Sequence, residues 1–132
     1  MSNNSVIEHK SFRFALDVIA LYQKLCDERE YILSKQLLRS GTSIGANVEE
    51  AVAGQSRKDF IAKLSVARKE ARETRFWLRL LRESGLVTTD VSGELAKADE
   101  LLRILTSIIK TAVENAEPAV ATKDRQPVIR NS

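Results

Sequence analysis

At 132 residues the chain is long enough for one domain with a single compact core. One cysteine and one histidine exclude an intramolecular disulfide and a Cys/His metal cluster. The formal charge of +3 is too small to point to nucleic acid by its total, so the placement of the basic residues matters more.

Two prolines and five glycines leave room for long uninterrupted helices. The opening MSNNSVIEHK has no apolar run of the kind a signal peptide needs, and no later segment is apolar enough to span a bilayer, so a cytoplasmic protein without a membrane partner is expected. Residues 1–8 read as a flexible start. From Ser11 to Asp27, Phe14, Val18, Leu21, Tyr22 and Leu25 recur at helical spacing and predict a first helix. His9 stands at its entrance, where a surface or capping role fits a solitary histidine. Cys26, near its end, reads as a partly buried small hydrophobe.

A short charged connection, Asp27 to Tyr31, favours an antiparallel neighbour. The second helix is expected over 32–53 with Leu33, Leu37, Ile44, Val48 and Ala51 on its core face. Gly41 and Gly45 lie inside it at a cost of about 1 kcal/mol each relative to alanine, which close approach of a neighbouring helix or a local kink would offset. Ser40, Ser43, Asn47 and Glu50 form a polar stripe beside that face. It is either a solvated edge or an interfacial hydrogen-bond network; the network is expected, with an arginine of the third helix as partner to Glu50.

The stretch from Ser56 to Ser84 dominates the chain. Phe60, Leu64, Ala67, Ala71, Thr74, Leu78 and Leu81 form one apolar seam, and Arg68, Arg72, Arg75, Arg79 and Arg82 form a parallel stripe one position on. Phe76 and Leu80 fall on roughly the opposite side and, with Trp77, make a candidate oligomer interface. Ser56 with Asp59 resembles a capping box, and Gly85 marks the helix end, with Leu86 expected to fold back onto the last turn. Thr89 or Asp90 would cap a fourth helix whose seam is Val91, Leu95, Ala98, Leu102, Leu105, Ile109 and Ala112, widened by Leu101 and Ile108. Beyond Glu114 the period is lost and both prolines occur, so 115–132 reads as a flexible tail. Residues 9–114 thus predict an all-α, antiparallel up-down-up-down four-helix bundle.

No catalytic constellation is present. Glu49, Glu50, Glu70 and Glu73 could supply carboxylates to a di-metal site, but the Glu-x-x-His pairs that complete one are missing. A hydrolytic triad lacks its histidine, and no glycine-rich phosphate loop occurs. A non-enzymatic protein with no metal, cofactor or small-molecule substrate is expected. The arginine stripe has three readings: a solvated edge, salt bridges to another helix or subunit, or contact with phosphates. Within its own helix only Arg79 has an acid at helical spacing, Glu83, while Glu73 can reach Lys69.

Two runs carry a family resemblance. Ser43-Ile44-Gly45-Ala46-Asn47-Val48-Glu49-Glu50-Ala51 resembles an S-I-x-x-N-[IV]-x-E-[AG] motif, and Ser56 to Ala67 is similar to S-x-K-[DE]-F-[IV]-x-x-L-x-[IV]-A. Both motifs are those of the four-helix bundle proteins encoded by intervening sequences of bacterial 23S ribosomal RNA genes, a family whose architecture the accessory protein of diversity-generating retroelements shares. Glu73 falls at a characteristic glutamate of that family and joins Ser43, Asn47 and Glu50 in the expected polar network. The resemblance implies a ring-like homopentamer and, through its retroelement relatives, a basic surface for a reverse transcriptase and RNA or DNA. Where the family often has proline after Ser-Ile, this chain has Gly45. The rival expectation is a protein-interaction scaffold whose arginines make subunit contacts.

Overall fold

The computed structural model describes residues 2–124. Four helices follow one another: α1 (Asn3–Asp27), α2 (Leu33–Ala53), α3 (Arg57–Ser84) and α4 (Ser92–Asp124). Each packs against its sequence neighbours and α4 closes back on α1, giving an all-α four-helix bundle with up-down-up-down connections. The contact along α1 and α4 is the sparsest of the four seams.

The helical period decides the core. Phe14, Val18, Leu21 and Leu25 of α1 meet Leu37, Ile44 and Val48 of α2, and Leu64, Ala67, Ala71, Leu78 and Leu81 of α3 face Leu95, Ala98, Leu101 and Leu105 of α4. All are essentially removed from water, and burial of each large aliphatic side chain contributes about 1.5–3 kcal/mol. Within the predicted seams Tyr22, Leu33, Phe60 and Leu102 are only half-buried, because they sit at the margins of the stripe.

The two glycines of α2 mark a close helix crossing. A Cβ at Gly41 would stand 2.8 Å from Val18 Cγ2, and one at Gly45 would stand 3.2 Å from the Ser11 carbonyl oxygen. Close approach to α1, the first of the two explanations for these glycines, is the one realised in the bundle.

Several boundaries differ from expectation. α1 starts at Asn3, where Ser2 accepts a hydrogen bond from the Ser5 N–H, and Ile7 is already in the core. His9 therefore lies on the exposed side of α1, past its entrance. α4 runs ten residues beyond Glu114, past Pro118, although its apolar period has ended. The expected tail from 125 to 132 lies outside the described residues. Ser56 caps α3 through the Asp59 N–H at 3.1 Å, and Gly85 takes a left-handed φ of 75°. Leu86 does not fold back: it is exposed, and Val87 packs on the core in its place. Asp90 accepts the Ser92 N–H, whereas Thr89 turns to Glu28.

Glu28 ties the two loops at one end of the bundle. Its carboxylate accepts hydrogen bonds from the backbone N–H and hydroxyl of both Thr88 and Thr89. The Thr89 hydroxyl and Thr88 N–H lower its pKa to about 2. Next to it Glu30 caps α2, accepting from the N–H groups of Ile32, Leu33 and Ser34.

Candidate nucleic-acid interface

α3 carries nine basic and four acidic residues, a net +5 that exceeds the +3 of the whole chain. Its two flanks treat this charge differently. Toward α2, Arg39 reaches across to Glu70 Oε1 at 3.3 Å and also to Glu73. The indole N–H of Trp77 donates to the same Glu73 carboxylate at 3.1 Å. Arg39, then Trp77, holds the Glu73 carboxyl below the usual carboxylate range, and Glu73 raises the pKa of Arg39 in return. Beneath this pair the buried Thr74 hydroxyl lies 2.8 Å from both Ser40 Oγ and the Glu70 carbonyl oxygen. Glu70 and Glu73 thus share a basic residue of α2 and form no ion pair with the arginines of α3.

The expected polar network is consequently split. Glu73 belongs to the Arg39 cluster. Asn47 Nδ2 donates to the Ser43 carbonyl and hydroxyl oxygens at 2.9 and 3.1 Å, within α2 alone. Glu50 is exposed and has no hydrogen-bond partner among the described residues, so the expected arginine of α3 does not reach it. The arginine that joins α2 and α3 comes from α2, not α3. Same-helix spacing could not reveal it, because the partners lie more than thirty positions apart.

Toward α4 the arginines line a groove. Arg72, Arg75, Phe76 and Arg79 form one wall, and Asp99 and Leu102 of α4 the other. Arg75 Nε lies 2.6 Å from Asp99 Oδ1, the one interhelical ion pair of the stripe among the described residues. Arg68 is half-buried and its Nε has no hydrogen-bond partner. Arg72 and Arg79 are exposed without an acid partner among the described residues. Arg82 pairs with Glu83 at 2.8 Å, which takes away the acid expected for Arg79. Beyond Leu102 a neighbouring shallow depression on α4 is lined by Arg103 and Lys110, both exposed and neither foreshadowed by the stripe on α3.

Phe76, Trp77 and Leu80 do not form one exposed patch. Phe76 is 49% exposed in the arginine groove, while Trp77 and Leu80 are half-buried and Trp77 packs on the core. The Phe76 and Trp77 rings meet edge-on with centroids 5.2 Å apart. A larger unpartnered apolar stripe lies on α1: Phe12, Leu16 and Ile19, at i, i+4 and i+7, are 54%, 43% and 41% exposed. It was visible in the sequence as a second period interleaved with the core stripe, and only the core stripe was read.

Among the described residues no cluster of three His, Cys, Asp or Glu side chains could hold a metal ion, and no helix is long and apolar enough to cross a membrane.

No curated protein matches the chain. A crystal structure of a protein of unknown function from the S23 ribosomal protein family of Bacteroides thetaiotaomicron is 44% identical, with a TM-score of 0.79 over 83% of this chain and 99% of that one. The family model for the 23S rRNA-intervening sequence protein matches residues 3–107. With that match over most of its length, and with the bundle it folds into, the chain belongs to the 23S rRNA-intervening sequence protein family.

Proposed function

We propose that this protein is a cytoplasmic, non-enzymatic homo-oligomer that binds nucleic acid through the arginine edge of α3. One observation carries the reading: Arg39 takes up Glu70 and Glu73 on the α2 flank, so among the described residues the row of guanidiniums on the α4 flank is opposed across the groove by Asp99 alone, with Glu83 pairing Arg82 at its end. Guanidinium groups spaced along a helix suit phosphate oxygens, and release of condensed counterions supplies the affinity. The α1 stripe of Phe12, Leu16 and Ile19 supports self-association, which would present the edge repeatedly. A ring of five subunits is the assembly the family resemblance implies, and a reverse transcriptase is the enzyme partner it implies.

The test is titration of a labelled structured RNA at several salt concentrations, with the protein's mass followed by light scattering. Tight binding that falls steeply with salt is expected. Replacing the exposed pair, Arg72→Gln with Arg79→Gln, should weaken binding and reduce the salt slope by about 1 per residue, with the mass unchanged. Binding that the pair does not alter would remove the edge from the interface. Loss of the oligomer in the same variant would instead favour arginines that serve subunit contacts. Absence of binding at low salt would leave a protein partner, to be sought by pull-down.

A further inference from the structure

We infer that the α3–α4 groove takes single-stranded nucleic acid, with Phe76 as the surface on which a base stacks. The inference rests on the nucleic-acid reading above and narrows it from any nucleic acid to an unpaired strand.

The first argument is shape. A helix reads duplex DNA by entering the major groove, about 12 Å wide, which admits one helix of about 10–12 Å diameter. The arginines of α3 do not stand on a projecting helix. They lie in a groove whose far wall is α4, and two packed helices with axes about 8–10 Å apart are together too broad to enter. A duplex could touch this face only along its backbone.

The second argument is the aromatic ring. Phe76 sits between Arg72 and Arg79 on the groove wall and keeps half its surface in water. A duplex hides the faces of its bases and gives such a ring nothing to contact. An unpaired strand offers one base face per nucleotide, and aromatic side chains set along a cationic track are how sequence-tolerant single-strand binders work.

The third is the extent of charge. Along the groove, Arg72 to Arg79 spans about 10 Å of helix axis, a short track that one unpaired strand can follow. Past Leu102, Arg103 and Lys110 are exposed on a neighbouring depression of α4 and extend the cationic surface. A strand lying in the groove therefore meets the guanidiniums of α3 beside the apolar surface of Phe76 and Leu102.

The experiment compares a labelled oligouridylate of about twelve nucleotides with an RNA hairpin whose stem has about twelve base pairs, on the full chain at matched salt. Tighter binding of the single strand is expected. Phe76→Leu should weaken it by at least about fivefold without changing its salt slope or the hairpin's affinity, since stacking and not charge is lost. Phe76→Tyr should retain it. Arg103→Gln with Lys110→Gln should lower both the affinity and the salt slope for the single strand. Hairpin binding as tight as that of the single strand, or equal loss for both ligands in Phe76→Leu, overturns the single-strand inference and leaves nucleic-acid binding standing. Failure of both ligands to bind at low salt overturns both readings.

Discussion

The bundle has a tight half, built around α2, and a loose half, built around α4. On the tight side α2 meets α1 with Gly41 against the Val18 side chain and Gly45 against the Ser11 backbone, and meets α3 through the buried Ser40–Thr74 contact and the Arg39 cluster. On the loose side α4 shares apolar core with its neighbours, but its outer edges are held by ion pairs. Lys10–Glu100 and Asp17–Lys97 lie on the α1 seam, and Arg75–Asp99 on the α3 seam. Half-exposed ion pairs contribute little, about 0–1 kcal/mol each, whereas overfilling a close crossing or stripping a partner from a buried carboxylate costs more. The difference suggests a division of labour. Stability is concentrated where the chain is closed, and the arginines without an acid partner among the described residues, Arg72 and Arg79, lie where it is open.

The largest effect should come from filling the tight crossing. Gly41→Ala gains about 1 kcal/mol of helix propensity, but its Cβ meets two methyl groups of a fully buried valine, and overpacking of that kind costs about 1–3 kcal/mol. Val18 is β-branched and enclosed, which puts that cost toward the upper end, about 2–3 kcal/mol, and leaves a net loss of about 1–2 kcal/mol in urea unfolding. Val18→Ala should then cost less in the Gly41→Ala background than alone. A variant as stable as the parent would mean that the crossing can widen freely and that the two halves are not distinct.

Next in size is Arg39→Ala. It leaves Glu70, only 8% exposed, and the half-buried Glu73 without their cation, for a loss of about 1 kcal/mol after allowing for the exposure of the arginine. The same substitution at Arg72 or Arg79, on the α4 flank, should stay within about 0.5 kcal/mol of the parent. Equal losses on both flanks would erase the contrast.

A smaller effect is expected at the loop clamp. The Glu28 carboxyl falls from its ordinary value of 4.5 to about 2 in the folded protein. A depressed carboxylate pKa adds stability that is complete above the unfolded value and is lost as pH drops from about 4.5 toward 2. Glu28→Gln should therefore melt earlier than the parent at pH 7 and show a flatter decline in melting temperature below pH 4.5. A decline as steep as the parent's would assign acid sensitivity to Glu73 and Asp90, whose carboxyls are also depressed.

Much of the tight half was legible from spacing alone. Leu37, Ile44, Val48 and Ala51 repeat with the helical period, and the glycines announced a close neighbour because nothing else explains them in a helix interior. The cross-helix partners were not legible. Arg39 with Glu70 and Glu73, Glu28 with Thr88 and Thr89, and Arg75 with Asp99 are joined by the turns of the bundle, and counting three or four residues along one helix cannot find them. The same limit affected the site. The stripe on α3 was visible, but the facing wall of Asp99 and Leu102 exists only once α4 lies beside it.

The smallest change in stability should accompany the most informative change in binding. Asp99 is the single acid that answers the arginine stripe across the groove among the described residues, and its pair with Arg75 is about two-fifths exposed on both sides. Solvent screening at that exposure limits what the pair can add to folding, so Asp99→Asn should unfold within about 0.5 kcal/mol of the parent. If the loose half is a ligand surface, however, Asp99 opposes it twice: it occupies Arg75 and it repels phosphate. Its neutralisation should tighten RNA binding and steepen the salt dependence by up to about 1, through the release of one further counterion. Were the stripe instead a set of subunit or helix contacts, the same substitution would remove a useful partner, and the outcome would be a weaker assembly with no gain in RNA affinity. One variant, read by unfolding, by mass and by RNA titration, thus separates an edge held open for phosphate from an edge that only holds the bundle together.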